Sequence, residues 1–150
     1  MSTVLSTIPV AAGIDPRGPR VSASLTSVVL ALALVAPPPV AVVLLVAQAA
    51  VFSVGTVRGV QRTPYALIFR GLVRPRLGAP GELEDPRPPR FAQGLGLGFV
   101  GVAVIALLAG LTTVGLVAAG LALVAALLNA VFGLCLGCEL YVILRRAIAR

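Results

Sequence analysis

The chain of 150 residues contains no histidine and no lysine; twelve arginines, five acids and two cysteines make up most of its chemically active side chains. Without imidazole, any metal would have to be held by thiolates and carboxylates alone. Cys135, Cys138 and Glu139 fall short of a closed tetrahedral set unless two chains share it. No metal or bound cofactor is therefore expected, although a quinone is compatible with a redox role. Charge is equally scarce. With 11% charged and 59% hydrophobic residues and a mean hydropathy of +1.06, the composition excludes an ordinary soluble domain.

What is present in quantity is apolar helix. Four crossings can be drawn, over about 21–36, 40–57, 91–109 and 114–144, and an α-helix is the economical way to satisfy backbone polar groups in lipid. The expected fold is all-α, a polytopic integral membrane protein built as a four-helix transmembrane bundle. "PPP" at 37–39 breaks the first hairpin and "GLTT" at 110–113 the second, with glycine as a C-cap and the threonines available to cap the next helix. The last segment is too long to cross unbroken and must tilt, protrude or break near Gly133 and Gly137.

Every arginine lies outside the two hairpin turns: two precede the first crossing, seven fall between Arg58 and Arg90, and three follow the last crossing. By the positive-inside rule both termini and the middle loop face the cytoplasm. This gives a cytoplasmic segment 1–20, a transmembrane hairpin 21–57, a cytoplasmic loop 58–90, a second hairpin 91–146 and a tail 147–150, in a bacterial inner (plasma) membrane. The first apolar run reads as a retained helix rather than a cleaved signal peptide. A net charge of +7 then means a basic face against anionic lipid. There is no motif with interleaved aromatics, and nucleic acid is not an expected partner.

Within the middle loop, Thr63 is placed to cap a helix over about 64–74. Its apolar positions Tyr65, Ile68, Phe69, Leu72 and Val73 form one stripe, with Arg70 and Arg74 at the flank. Such a helix can lie in the membrane interface or close over the mouth of the bundle. The proline-rich stretch after it reads as a stiff loop that docks a partner or clamps the bundle. Gly96-x-Gly98-x-x-Gly101 matches a dinucleotide fingerprint in spacing only, since no strand precedes it and no acid follows at the required distance. The pairs Gly94/Gly98 and Gly133/Gly137 are expected to let helices approach, and Asn129 to bridge helices.

The chemistry concentrates in "GLCLGCELY", residues 133–141. On a continuous helix Cys135 and Cys138 share a face, with Glu139 at i+4 from the first and Tyr141 at i+3 from the second. Counting back from Arg145 puts this patch in the cytoplasmic half of the bilayer. An acid inside an apolar helix is a functional candidate by default. The cysteines have three readings: small apolar residues in a helix interface, metal ligands, or a C-x-x-C thiol pair in redox or sulfur transfer. The last is the leading expectation. Cys138 meets a partner sulfur, Cys135 resolves the mixed disulfide, Glu139 adjusts the thiol or relays its proton, and Arg70, Arg74, Arg145 and Arg146 steer an anionic substrate or acidic partner. The alternatives are a small transporter or permease subunit for a sulfur-containing anion, with Glu139 in a polar path, and a structural subunit assembling a membrane complex. A homo-oligomer is compatible with each.

Three segments in order, "IDPRGPR" at 14–20, "RTPYALIFRGLVRPRLGAPGELEDPRPPRFAQ" at 62–93 and "LNAVFGLCLGCELY" at 128–141, resemble the domain of unknown function 4395 family of small bacterial membrane proteins, common in actinobacteria. The resemblance implies a compact helical membrane domain with a recurring C-x-G-C pair and no assigned activity. It also implies an association with thioredoxin-like and sulfurtransferase proteins. Size and four-span layout are distantly similar to DoxX-type membrane oxidoreductase subunits.

Overall fold

The computed structural model describes residues 13–150. Among these the chain is helical throughout, with one isolated bridge and no strand. Four helices are long and apolar enough to cross a bilayer: α1 (Arg17–Val35), α2 (Pro38–Arg58), α5 (Arg87–Leu108) and α6 (Thr112–Phe132). Between α2 and α5 run a 3₁₀ turn (Val60–Arg62), α3 (Pro64–Ile68), a π-helical turn (Phe69–Val73) and α4 (Arg74–Leu77). The chain ends in α7 (Leu136–Ile148).

Local chemistry sets these boundaries. Asp15 and Asp85 each stand two residues ahead of an arginine that opens a long helix. Asp15 accepts the Arg17 backbone N–H at 3.0 Å, and Asp85 accepts that of Arg87 at 2.9 Å. Each carboxylate also takes its arginine's guanidinium at 2.8 Å. A capping acceptor of this kind stabilises a helix start by about 1 kcal/mol. The third long helix thus begins at Arg87, four residues before the expected 91, because Pro88 and Pro89 fall in a first turn that needs no amide from them. At the first hairpin Pro37 is extended and Pro38 opens α2, as proline chemistry requires. At the second, Gly110 takes φ +81° and the Leu111 amide bonds the Ala106 carbonyl. Thr112 and Thr113 lie inside the helix, so the expected threonine cap is not formed.

The four long helices close a ring in which α1 meets α2 and α6, and α5 meets α2 and α6. Leu30, Leu45 and Val100 are fully buried at its centre, with Phe52, Ala103, Ala118 and Ala119 around them. Close approach depends on small residues: a Cβ on Gly96 would lie 2.7 Å from the Phe52 ring, and one on Gly115 would lie 2.8 Å from Leu107. The outside of the ring is apolar as well. Val35, Val43, Ile105 and Leu108 all stand more than half exposed, which suits a lipid neighbour and not water.

The two hairpins repeat one another. "DPRGPR" at 15–20 and "DPRPPR" at 85–90 open α1 and α5. Just before them, Ile14 and Glu84 exchange both backbone hydrogen bonds at 2.9 Å. The last arginine of each hexapeptide reaches the end of a helix in the opposite hairpin. Arg20 donates to the Ala130 and Val131 carbonyls at 3.4 and 3.3 Å, and Arg90 donates to Thr56 and Val57 at 2.5 and 2.7 Å. A cation at a helix C-terminus meets carbonyls that have no intrahelical donor and the negative end of the dipole.

Candidate functional site

The fourth long segment is broken. α6 stops at Phe132, Gly133 takes a left-handed φ of +68°, and its amide bonds the Asn129 carbonyl at 3.0 Å while Leu134 bonds Leu128 at 3.2 Å. Glycine is the residue that adopts this cap without steric cost. Gly133 therefore ends a helix, with the Arg20 side chain beside it, and does not form a packing pair with Gly137. Gly137 instead faces Ala92 of α5, where a Cβ would come within 2.5 Å of the Ala92 Cβ. Gly94 lies against Thr56, and Gly98 opens onto a groove on the outside of α5 and α6.

The break falls on the cysteines. Cys135 is extended (φ −88°, ψ 101°) and serves as the N-cap of α7, its Sγ accepting the Cys138 backbone N–H at 3.2 Å. The two residues are joined by a disulfide, with Cα atoms 5.2 Å apart. They consequently do not lie on one continuous helix as expected: one sulfur sits at the helix entrance and the other at its third residue. Tyr141 also departs from the expected patch. Its ring packs on Phe91 of α5, with centroids 5.6 Å apart.

Both cysteines are half-buried and line a half-open cavity of about 940 Å³ between α1, α2, α3, α5, α6 and the start of α7. Of the other residues singled out in the sequence, Glu139, Arg70, Arg74, Asn129, Gly133 and Gly137 line the same cavity. Glu139 is exposed in the first turn of α7 and has no ion-pair partner among the described residues. Arg70 donates to the Gln61 carbonyl at 3.0 Å. Arg145 and Arg146 are exposed in the last turn of α7, away from the cavity.

Sequence reasoning overlooked a polar chain inside the ring. Tyr65 donates to Gln48 Oε1 at 2.7 Å, and Gln48 Nε2 donates to Thr26 Oγ1 at 3.2 Å. Gln48 is fully buried and Thr26 is 5% exposed. Burial pushes the Tyr65 phenol above its ordinary range, so it remains a donor. Gln93, which also lines the cavity, has its Oε1 buried without a partner. A lone glutamine in an apolar run was the available signal for Gln48. The signal for Arg20 and Arg90 was the repeated hexapeptide.

These features define a class: an all-helical protein with four bilayer-length helices and a C-x-x-C disulfide at a helix break, beside a half-open cavity. The family profile described as "Domain of unknown function (DUF4395)" matches residues 14–146, and the chain belongs to that family. No curated protein and no solved structure matches it.

Proposed function

We propose that the protein is a thiol–disulfide exchange component of a bacterial inner membrane, with both termini and the middle loop on the cytoplasmic side. The observation that carries this reading is the position of Cys135 at the N-cap of α7, beside a cavity that reaches both sulfurs. Non-helical backbone at membrane depth is tolerated where it lines a polar cavity or is buried in protein, and the break at 133–135 lines such a cavity. The segment from Pro64 to Leu77 closes over the inner mouth. Ala66 and Phe69 turn inward while Leu67, Ile68 and Leu72 remain exposed, as for a helix resting in the interface.

The exchange follows from which sulfur leaves best. A thiolate of a soluble partner attacks Cys138 Sγ, the Cys135–Cys138 bond breaks, and its electron pair passes to Cys135. The resulting thiolate is held by the Cys138 amide and the positive end of α7, which makes Cys135 the favoured leaving group. The partner's second thiol then displaces Cys138, leaving a partner disulfide and a reduced pair. Run backwards, Cys135 is the resolving sulfur. Glu139, one residue beyond Cys138, is placed to take or return the proton. A thioredoxin-like or sulfurtransferase protein has the required chemistry as partner.

Cys135→Ser leaves Cys138 able to attack an oxidised partner and hold a mixed disulfide that Cys135 can no longer resolve. Expressed in its native membrane, this variant is expected to accumulate a covalent complex that reductant releases, and Cys138→Ser to accumulate far less. If neither variant captures a soluble thiol protein, and the double serine variant grows normally under oxidant and under sulfur limitation, the reading is wrong.

A further inference from the structure

The reduced pair has to hand its electrons on, and the cavity behind it has the features of a site for the acceptor. We propose that this cavity binds a lipid-soluble quinone, which reoxidises Cys135 and Cys138. The inference rests on the thiol-exchange reading above. Three observations converge on it.

The first is size and lining. At about 940 Å³ the cavity is as large as the volumes of about 300–1,000 Å³ that hold small organic ligands. Its lining is mixed: Phe52, Leu95, Phe99, Leu121 and Ala122 supply apolar wall, and Arg20, Arg70, Arg74 and Glu139 supply charge. The second is access from the side. Leu95, Phe99 and Leu121 line this cavity and also the apolar groove of about 620 Å³ on the outer surface of α5 and α6. Those three side chains form the partition between the inner space and the surface that faces lipid. Gly98 leaves the outer side of that partition open. A ligand dissolved in the bilayer enters the cavity by this route when those side chains part.

The third is a buried hydroxyl in the lining that accepts one hydrogen bond and still has its proton to give. Thr26 lines the cavity and is 5% exposed; its oxygen accepts from Gln48, but its own hydroxyl proton has no acceptor among the described residues. A buried hydroxyl in this state favours a ligand oxygen that only accepts, and a quinone carbonyl is such an oxygen. The bond from Tyr65 through Gln48 polarises that hydroxyl as a donor. The α-helical rise sets Thr26 about 9 Å along the helix from Arg20, whose side chain lies beside Gly133 at the break, and Thr26, Arg20 and both cysteines line the one cavity.

The step balances with these reactants alone. Two S–H bonds break and one S–S bond forms between Cys135 and Cys138. The two electrons reduce the quinone, and the two protons end on its oxygens as quinol hydroxyls. Glu139 is placed to carry a proton between the sulfurs and the aqueous mouth.

The test uses the full chain in nanodiscs, reduced, freed of reductant and kept anaerobic. It is mixed with a short-tailed benzoquinone substituted at every ring position, so that a thiol cannot add to the ring. One quinol is expected per disulfide formed, with the protein losing two mass units and gaining no adduct. Thr26→Val and Leu121→Trp should each slow this reaction by about a hundredfold, the scale expected when a reactant is misplaced at a site. The rate at which a water-soluble disulfide oxidises the same pair should stay unchanged, which also shows that the variants are folded. Quinol formation no faster than with a free C-x-x-C peptide, or as fast in both variants as in the unchanged protein, overturns the proposal. Should quinone fail while Cys135→Ser still captures its partner, the quinone site alone is wrong; should both fail, the thiol-exchange reading falls with it.

Discussion

The chain turns the same corner twice. After α2 it passes Gly59, at φ +101°, and enters α3 with Thr63 as N-cap, its hydroxyl oxygen accepting the Ala66 amide at 3.1 Å. After α6 it passes Gly133 and enters α7 with Cys135 as N-cap, its sulfur accepting the Cys138 amide. Each corner lies at a helix end held by the arginine of the opposite hexapeptide. The difference is in what surrounds the cap. Both corners line the same cavity, but Thr63 is 2% exposed and Ala66 9%, whereas both cysteines remain half-buried. One corner is closely packed; the other keeps the same backbone grammar with its side chains more open to the cavity. A disulfide here needed no new fold, only sulfur at a cap position and space in front of it.

The sharpest way to break that contrast is to put sulfur at the closely packed corner. In a chain with Cys135 and Cys138 changed to serine, the variant carrying T63C and A66C, reduced and freed of reductant, is expected to label with a water-soluble maleimide about a hundredfold more slowly than the reduced native pair, because reaction there requires a local opening worth a few kcal/mol. Equal labelling would mean that the two corners do not differ in access, and would remove the reason for assigning function to only one.

A second comparison sets the arginine clamps against each other. Arg90 holds its two carbonyls at 2.5 and 2.7 Å and Arg20 holds its pair at 3.3 and 3.4 Å. Hydrogen bonds to charged groups contribute about 1.5–3 kcal/mol each at good geometry and less when stretched. Arg90→Leu should thus lower the thermal midpoint in detergent more than Arg20→Leu. Arg20→Leu should in turn alter the reactivity of the cysteines, since its side chain lies beside Gly133. A larger stability loss at Arg20 would reverse the order.

Much of this architecture was legible from the residues, and the exceptions have physical causes. The four apolar helices follow from hydropathy and length alone, and "PPP" marks its turn because proline has no donor to give. Thr63 as a cap before Pro64 was readable because side chain, spacing and proline agree. The break in the fourth segment was only one of several options, since Gly133 inside an apolar run is equally compatible with close helix contact. A left-handed φ is a property of the backbone path, and it moved Cys135 from a helix face to a helix cap. Arg145 and Arg146 look as basic as Arg70 and Arg74 in sequence, yet only the middle-loop pair folds over the cavity. The repeat itself is plain in the hexapeptides. Its meaning is not, because the bonds that Arg20 and Arg90 make cross from one hairpin to the other.

The two aspartates that open the repeats give the finest comparison. Hydrogen bonds from Arg17 hold the Asp15 carboxyl below its ordinary range, with Arg74 adding to the effect; Arg87 does the same for Asp85, with Arg145 behind it. A carboxyl depressed in the folded state contributes stability that is fully present above its unfolded value of about 3.9 and is lost as pH falls through the folded value. Both sites should therefore weaken the protein only on the acid side, below about pH 4. Their weights differ, because the Asp15 side chain is 7% exposed and that of Asp85 is 42% exposed, so solvent screens the second pair more. Asp15→Asn retains an oxygen for the Arg17 amide while removing the charge, and should flatten the acid limb of a thermal-midpoint profile visibly. Asp85→Asn should change it little. Identical profiles for the two variants would show that burial at the Ile14–Glu84 bridge does not distinguish the two helix starts, and that the hairpins are closer to equivalent than their surroundings indicate.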